Sequence, residues 1–171
     1  ASPLTLNDRA MDKVLDRDEQ PRSWYLDLSL LEGYWGDDRS YHHTAPITNV
    51  YALREALRLV AEEGIESRWE RHREVAGELK AGLQELGLEM NAPDEYWLPS
   101  LNAVRVPDGV DDGAVIDHLL AEYDLEIASG LGDLEGDIWR IGCMGYSARP
   151  KNVEYVLSAL EDALAAQGHE A

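Results

Sequence analysis

The sequence predicts an α/β chain whose second half is a small α+β domain, with helices packed on a short sheet. Three observations carry this. Two long apolar-periodic stretches occupy the middle of the chain, over about 47–63 and 66–86. After Gly87 the period changes, and short strand-favouring runs alternate with helical ones, so that the second half, counted from the 66–86 helix, runs α-β-β-α-β-β-α. Apolar residues make up 44% of the 171 residues, enough to bury a core.

Residues 1–22 are polar and weakly patterned, with room for a short helix after an N-cap at Asn7 or Asp8. The chain starts abruptly and without methionine, which is expected of a fragment of something longer. In 23–36, Trp24, Leu26, Leu28 and Leu30 alternate, the pattern of a half-buried strand or extended segment. The polar-aromatic block Ser40–Pro46 precedes the first long helix, which Thr44 or Thr48 can cap with Pro46 in its first turn. Val50, Leu53, Leu57 and Val60 form one stripe on that helix. Gly64 ends or bends it, and the second helix shows Trp69, Ala76, Leu79, Leu83 and Leu86 on one face before Gly87. The domain boundary is placed in this helical connector, dividing 1–60 from 61–171.

Further on, Leu88–Asn91 reads as a short strand and 101–106 as a second. Asp111 caps a helix over 112–123 with Val115, Ile116, Leu119 and Leu120 inward. Residues 125–128 form another strand, and Gly130–Gly136 a turn. The stretch DIWRIGCMGYSARPKN, Asp137–Asn152, begins as a buried strand and opens a helix over about 149–166 with Val153, Val156, Leu157, Leu160 and Leu164 inward. There is no internal repeat and no low-complexity segment.

The formal charge is −19, from 34 Asp and Glu against 15 Lys and Arg. Phosphate binding needs a basic face, so nucleic acid is not an expected partner. The acids are spread along the chain, and the lysines number three, Lys13, Lys80 and Lys151. A diffuse acidic surface of this kind is expected of a halophilic protein, whose self-repulsion concentrated salt screens. An ordinary acidic cytosolic protein is the alternative. No apolar run reaches membrane-span length, and the opening residues hold no apolar block of signal length. Cys143 is the sole cysteine. A cytoplasmic protein without membrane contact is the expectation.

Arg140 stands between Trp139 and Ile141 in a strand. Burying a lone guanidinium is too costly, so it either pairs with an acid or faces a cleft. In a cleft its planar fork suits a carboxylate. Tyr41 and Thr44 offer two hydroxyls at a helix start, suited to a phosphate; taken as an isolated motif, they read first as a tyrosine packed at a loop and a threonine serving only as N-cap. Adjacent His42 and His43 on extended chain point to opposite sides, which argues against a shared metal. His72 and His118 read as surface or boundary residues of helices. Cys143 reads as a small buried hydrophobe.

Taken in order, SWYLDL, YHHTAP before a long helix, the GLG turn, WRIG-x-MG and NV-x-x-VL resemble the C-terminal portion of class V pyridoxal-phosphate-dependent aminotransferases, most closely the alanine–glyoxylate and serine–pyruvate type. The resemblance covers nearly the whole chain. It implies a fold type I transferase, with residues 1–60 the end of the large cofactor domain and 61–171 the small C-terminal domain. It implies a homodimer using pyridoxal 5'-phosphate to move an amino group from alanine or serine to a 2-oxo acid such as glyoxylate or pyruvate. Arg140 would hold the substrate carboxylate, and Tyr41 and Thr44 would reach the partner's cofactor phosphate. The family's Schiff-base lysine has no counterpart in Lys13, Lys80 or Lys151, so the isolated chain is expected to be inactive. A class V lyase and a non-catalytic interaction module derived from the same scaffold are the rival readings.

Overall fold

The computed structural model describes residues 3–169. The chain forms two compact units, one running up to Leu59 and the other from Val60 onward.

In the first unit, α1 (Asp8–Leu15) begins as the sequence predicts, with the Asn7 side-chain Oδ1 accepting the Ala10 N–H at 3.0 Å. The alternating stretch 23–36 is a correction. It is not a strand: a single 3-10 turn, Trp24–Leu26, leads into α2 (Leu28–Trp35). Asp27 decides this locally. Its carboxylate accepts the backbone N–H and the hydroxyl of Ser29 at 3.0 and 2.6 Å, and so starts a helix. No strand lies among the described residues of this unit to receive an extended segment. The third helix, α3 (Ile47–Glu63), has the expected bounds. The expected Thr44 cap is absent: the Thr44 hydroxyl bonds to Tyr41, and the Val50 N–H bonds to the Pro46 carbonyl. The apolar stripe forms but stays uncovered, with Val50, Leu53 and Leu57 at 52%, 43% and 58% exposure.

In the second unit, α3 ends before Gly64, whose φ of +83° few other residues tolerate. The chain continues as α4 (Ile65–Glu85). Val75, Ala76, Leu79 and Leu83 are buried. Trp69, expected on the same face, is exposed, because it lies on the part of α4 that precedes the packed stretch. Gly87 ends the helix as predicted: its N–H bonds to the Gln84 carbonyl and that of Leu88 to the Leu83 carbonyl, each at 3.0 Å. The chain then meets β1 (Leu101–Arg105), α5 (Asp112–Tyr123), β2 (Ala128–Ser129), β3 (Ile138–Gly142) and α6 (Pro150–Ala165). Asp111 caps α5 through the Ala114 N–H at 2.8 Å, as expected. The strand expected at 88–91 is one bridge, Met90 to Val104, plus two hydrogen bonds to β1. That expected at 125–128 is shifted to Ala128–Ser129.

The sheet order is β1-β3-β2, antiparallel throughout, which makes this unit α+β. Strand side chains alternate between faces. One face bears Val104, Trp139 and Ile141, which join Leu79, Leu83, Val115, Leu119, Val153, Leu160 and Leu164 in one core. Leu120, expected inward, is 52% exposed. The other face bears Ala103, Arg140 and Ala128 in register.

The loop after β3 is tied to α4 by charge. Arg71 donates to the carbonyls of Ala148 and Gly145, at 2.6 and 3.2 Å, and grips Glu63 through Nε and one terminal nitrogen, at 2.5 and 3.1 Å. Arg68 adds a contact to Glu63 at 2.7 Å. The two arginines, Arg71 foremost, hold the Glu63 carboxyl below the usual carboxylate range, and Glu63 holds Arg71 above its own. His72 completes the tie. Its Nε2 accepts the Gly145 N–H at 2.8 Å, so the ring proton sits on Nδ1, which donates to the Arg68 carbonyl at 2.7 Å. The boundary role expected for His72 is therefore structural.

The Gly130–Gly136 segment is the predicted turn, with a 3-10 turn at Gly132–Leu134 and φ of +58° and +82° at Gly132 and Gly136. A Cβ on Gly130 would strike the backbone carbonyl of Leu134, which cannot yield without opening the turn. Gly130→Ala is expected to destabilise the protein by about 1–3 kcal/mol, read as a lower urea midpoint at unchanged slope. Glu63→Gln is expected to quicken amide exchange at Gly145 severalfold. In the unchanged protein the same amide should stay protected above the ordinary carboxylate pKa. That protection should fade as pH falls through the lowered value of Glu63, because a depressed folded pKa favours the ionised, folded form.

Candidate functional site

Burial on one face of β3 fixes what the other face shows. Trp139 is fully buried and Ile141 is 3% exposed, so Arg140 between them points away from the core. Its partners in register are Ala103 on β1 and Ala128 on β2, both small, so the guanidinium lies on a low floor. Nε donates to the Ser129 carbonyl at 2.7 Å. No ion pair among the described residues involves Arg140. Of the two alternatives left open by the sequence, the structure forms no internal salt bridge. The two terminal nitrogens make no ion pair among the described residues, and their paired geometry is the one a carboxylate accepts.

The first unit holds the other predicted residues. Tyr41 Oη and Thr44 Oγ1 lie 2.8 Å apart, both exposed, just before α3. Two hydroxyls so close suit two oxygens of one phosphate, and the first N–H groups of α3 follow them in the chain. The donor set therefore fits part of a phosphate site. Beneath them the rings cluster: Tyr41 with Tyr34 at 6.0 Å, Tyr34 with His43 at 5.6 Å, and His42 with Trp24 at 4.6 Å between centroids.

The histidine pair needs correction. The rings were expected to diverge, yet their Nδ1 atoms are 2.8 Å apart, because the backbone bends at His43 and is not extended. His42 Nε2 faces the Trp24 carbonyl at 2.9 Å and must carry the proton there. His42 Nδ1 then accepts from His43 Nδ1–H, which gives each nitrogen of His42 an assigned role. No group of three or more potential metal ligands gathers among the described residues.

Cys143 is buried and its thiol is pushed up by burial, which keeps it protonated and inert, in line with the sequence reading. Lys80 is engaged with Asp94 at 2.6 Å and lies over the Trp97 ring. Sequence reasoning missed Ser129 and Asp112, joined at 2.7 Å, and the Glu63–Arg71–His72 tie. No spacing signals either set, since both join residues from separate elements.

No family model matches the chain. Among curated proteins it is 43% identical over 181 residues to the (S)-ureidoglycine–glyoxylate transaminase of Bacillus subtilis, covering 95% of this chain and 44% of that protein. It is 41% identical over 167 residues to the alanine–glyoxylate aminotransferase of Felis catus, covering 95% of this chain and 40% of that one. Among solved structures it superposes on an alanine–glyoxylate aminotransferase from Nostoc sp. with a TM-score of 0.87 and 46% identity, over 94% of this chain and 42% of that one. The chain thus spans about two fifths of the length of the relatives it matches. Along nearly its whole length, this chain with its helix-covered antiparallel sheet is thus similar in sequence and in fold to part of the glyoxylate aminotransferases.

Proposed function

We propose that this chain is the C-terminal portion of an aminotransferase that passes an amino group from alanine, serine or a similar small amino acid to a 2-oxo acid. The relatives named above differ in donor and share glyoxylate in their names, which supports glyoxylate as the acceptor. The observation that carries the reading is Arg140. It is held at Nε, makes no ion pair among the described residues, and stands on the face of the sheet opposite Trp139 and Ile141. A two-point contact with the substrate carboxylate fixes the acid end of donor and acceptor alike, and the short alanine neighbours leave room for it.

In this reading Tyr41 and Thr44 would donate hydrogen bonds to the phosphate of the cofactor held by the partner of a homodimer. Pyridoxal 5'-phosphate, when bound, supplies the reactive carbonyl and the electron-withdrawing ring for amino-group transfer. Residues 1–60 would close the large cofactor domain, and 61–171 would be the small domain that brings the carboxylate clamp. The isolated chain is proposed to be inactive: Lys80 is already engaged, and Lys13 and Lys151 lie in α1 and α6, away from any cofactor-lysine segment. Its location is proposed to be the cytoplasm, its partners small acids and a second copy of the intact protein.

In the intact enzyme Arg140→Ala is expected to raise KM for amino and oxo acids about 10- to 100-fold, the loss of one charge-assisted contact, while cofactor affinity holds. Arg140→Lys should recover little of this, because the two-point geometry is gone. Unchanged KM in Arg140→Ala would remove Arg140 from the site. The −19 charge supports a proposed halophilic character. Thermal melts should then fall on dilution from molar salt to about 0.1 M, where the Debye length grows to about 10 Å. A melt indifferent to salt would refute it.

A further inference from the structure

We infer that Ser129 and Asp112 are positioning residues for Arg140, setting the aim of its two terminal nitrogens through a relay of hydrogen bonds that starts in α5. The inference rests on the proposal that Arg140 holds the substrate carboxylate.

A long side chain on an open sheet face has rotamer freedom to lose when it grips a ligand. Arg140 has part of that freedom removed in advance, since Nε is tied to the Ser129 carbonyl at 2.7 Å. Rotation about the guanidinium's attachment is then limited, and the terminal nitrogens keep one direction. The quality of this restraint depends on how firmly the carbonyl is held.

By itself β2 is a poor anchor. It is two residues long and lies at the edge of the sheet, paired on one side only, by β3. The Ser129 hydroxyl makes up for this. It donates to Asp112 Oδ2 at 2.7 Å and accepts the Gly136 N–H at 3.1 Å. The first contact fastens the strand to α5, whose Val115 and Leu119 are fully buried in the core. The second closes the turn that links β2 to β3.

Asp112 is not needed as the cap of α5, because Asp111 already fills that role. Asp112 occupies the first turn instead, where the helix dipole favours a carboxylate. Its second oxygen, Oδ1, is buried without a hydrogen-bond partner. Keeping a carboxylate oxygen from water costs stability, and the contact that this placement does make is the one to Ser129. The line from the rigid core to the substrate clamp is therefore α5, Asp112, Ser129 and Arg140.

The test uses the intact enzyme with its cofactor. Ser129→Ala keeps the carbonyl and removes both hydroxyl contacts. It is expected to raise KM for amino and oxo acids about two- to tenfold, the range for one neutral hydrogen bond, with kcat nearly unchanged and the cofactor bound as before. Ser129→Thr should restore KM, because the hydroxyl returns. Combined with Arg140→Ala, the Ser129→Ala change should add nothing further, since it acts through the guanidinium. Asp112→Ala, which leaves the strand sequence intact, should show the same KM effect and the same lack of additivity. It serves as the second measurement should Ser129→Ala fold poorly. A normal KM in Ser129→Ala or Asp112→Ala, beside a raised KM in Arg140→Ala, overturns the relay and leaves the carboxylate reading standing. Losses that add to those of Arg140→Ala also overturn the relay. A normal KM in Arg140→Ala overturns the reading and the relay together.

Discussion

The sheet of the second unit is covered on one face, and nearly everything of interest in that unit follows from this constraint. Helices α4, α5 and α6 surround the side that bears Val104, Trp139 and Ile141. A strand's side chains alternate, so burying Trp139 and Ile141 leaves one direction for Arg140. The arginine is displayed by the same packing that stabilises the fold. A shift of β3 by one residue would bury the guanidinium and expose the indole, at a cost that no surface contact repays. Register, core and site are thus set by one event.

Charge does a second job next to this sheet. The loop from Cys143 to Arg149 leaves the central strand and enters α6, and two of its backbone carbonyls, those of Gly145 and Ala148, are satisfied by Arg71 and not by a neighbouring strand. Glu63 orients that arginine from the end of α3, and His72 takes up the Gly145 N–H. A neutral imidazole is required there, because both ring nitrogens already have assigned roles. An exposed ion pair contributes little by itself. This one does more because it also answers buried backbone groups, which would be costly to leave without partners.

How much of this was legible in the sequence depends on how local the cause is. The helices α3, α4, α5 and α6 follow from stripes, from the Asp111 cap and from Gly87, and all of these act within one or two turns. Arg140 was legible because a guanidinium amid strand-forming apolar residues is anomalous wherever it sits. The stretch 23–36 misled because Trp24, Leu26, Leu28 and Leu30 alternate, while the deciding group, Asp27, sits inside the pattern and starts a helix. The histidine pair misled because divergence of neighbouring side chains holds for extended backbone, and the chain bends at His43. Ser129, Asp112 and the Glu63 tie were illegible, since each joins groups that meet only after folding. For those, no periodicity exists to be read.

The solitary thiol has a use that its inertness creates. Cys143 sits 3% exposed at the exit of the central strand, under the segment that Arg71 and His72 hold down. A maleimide or disulfide reagent added to the folded protein can reach it when that segment lifts, and with one sulfhydryl in the chain every adduct marks the same event. The rate of labelling is thus a built-in clock for local opening beside the arginine, readable by mass spectrometry without installing a probe.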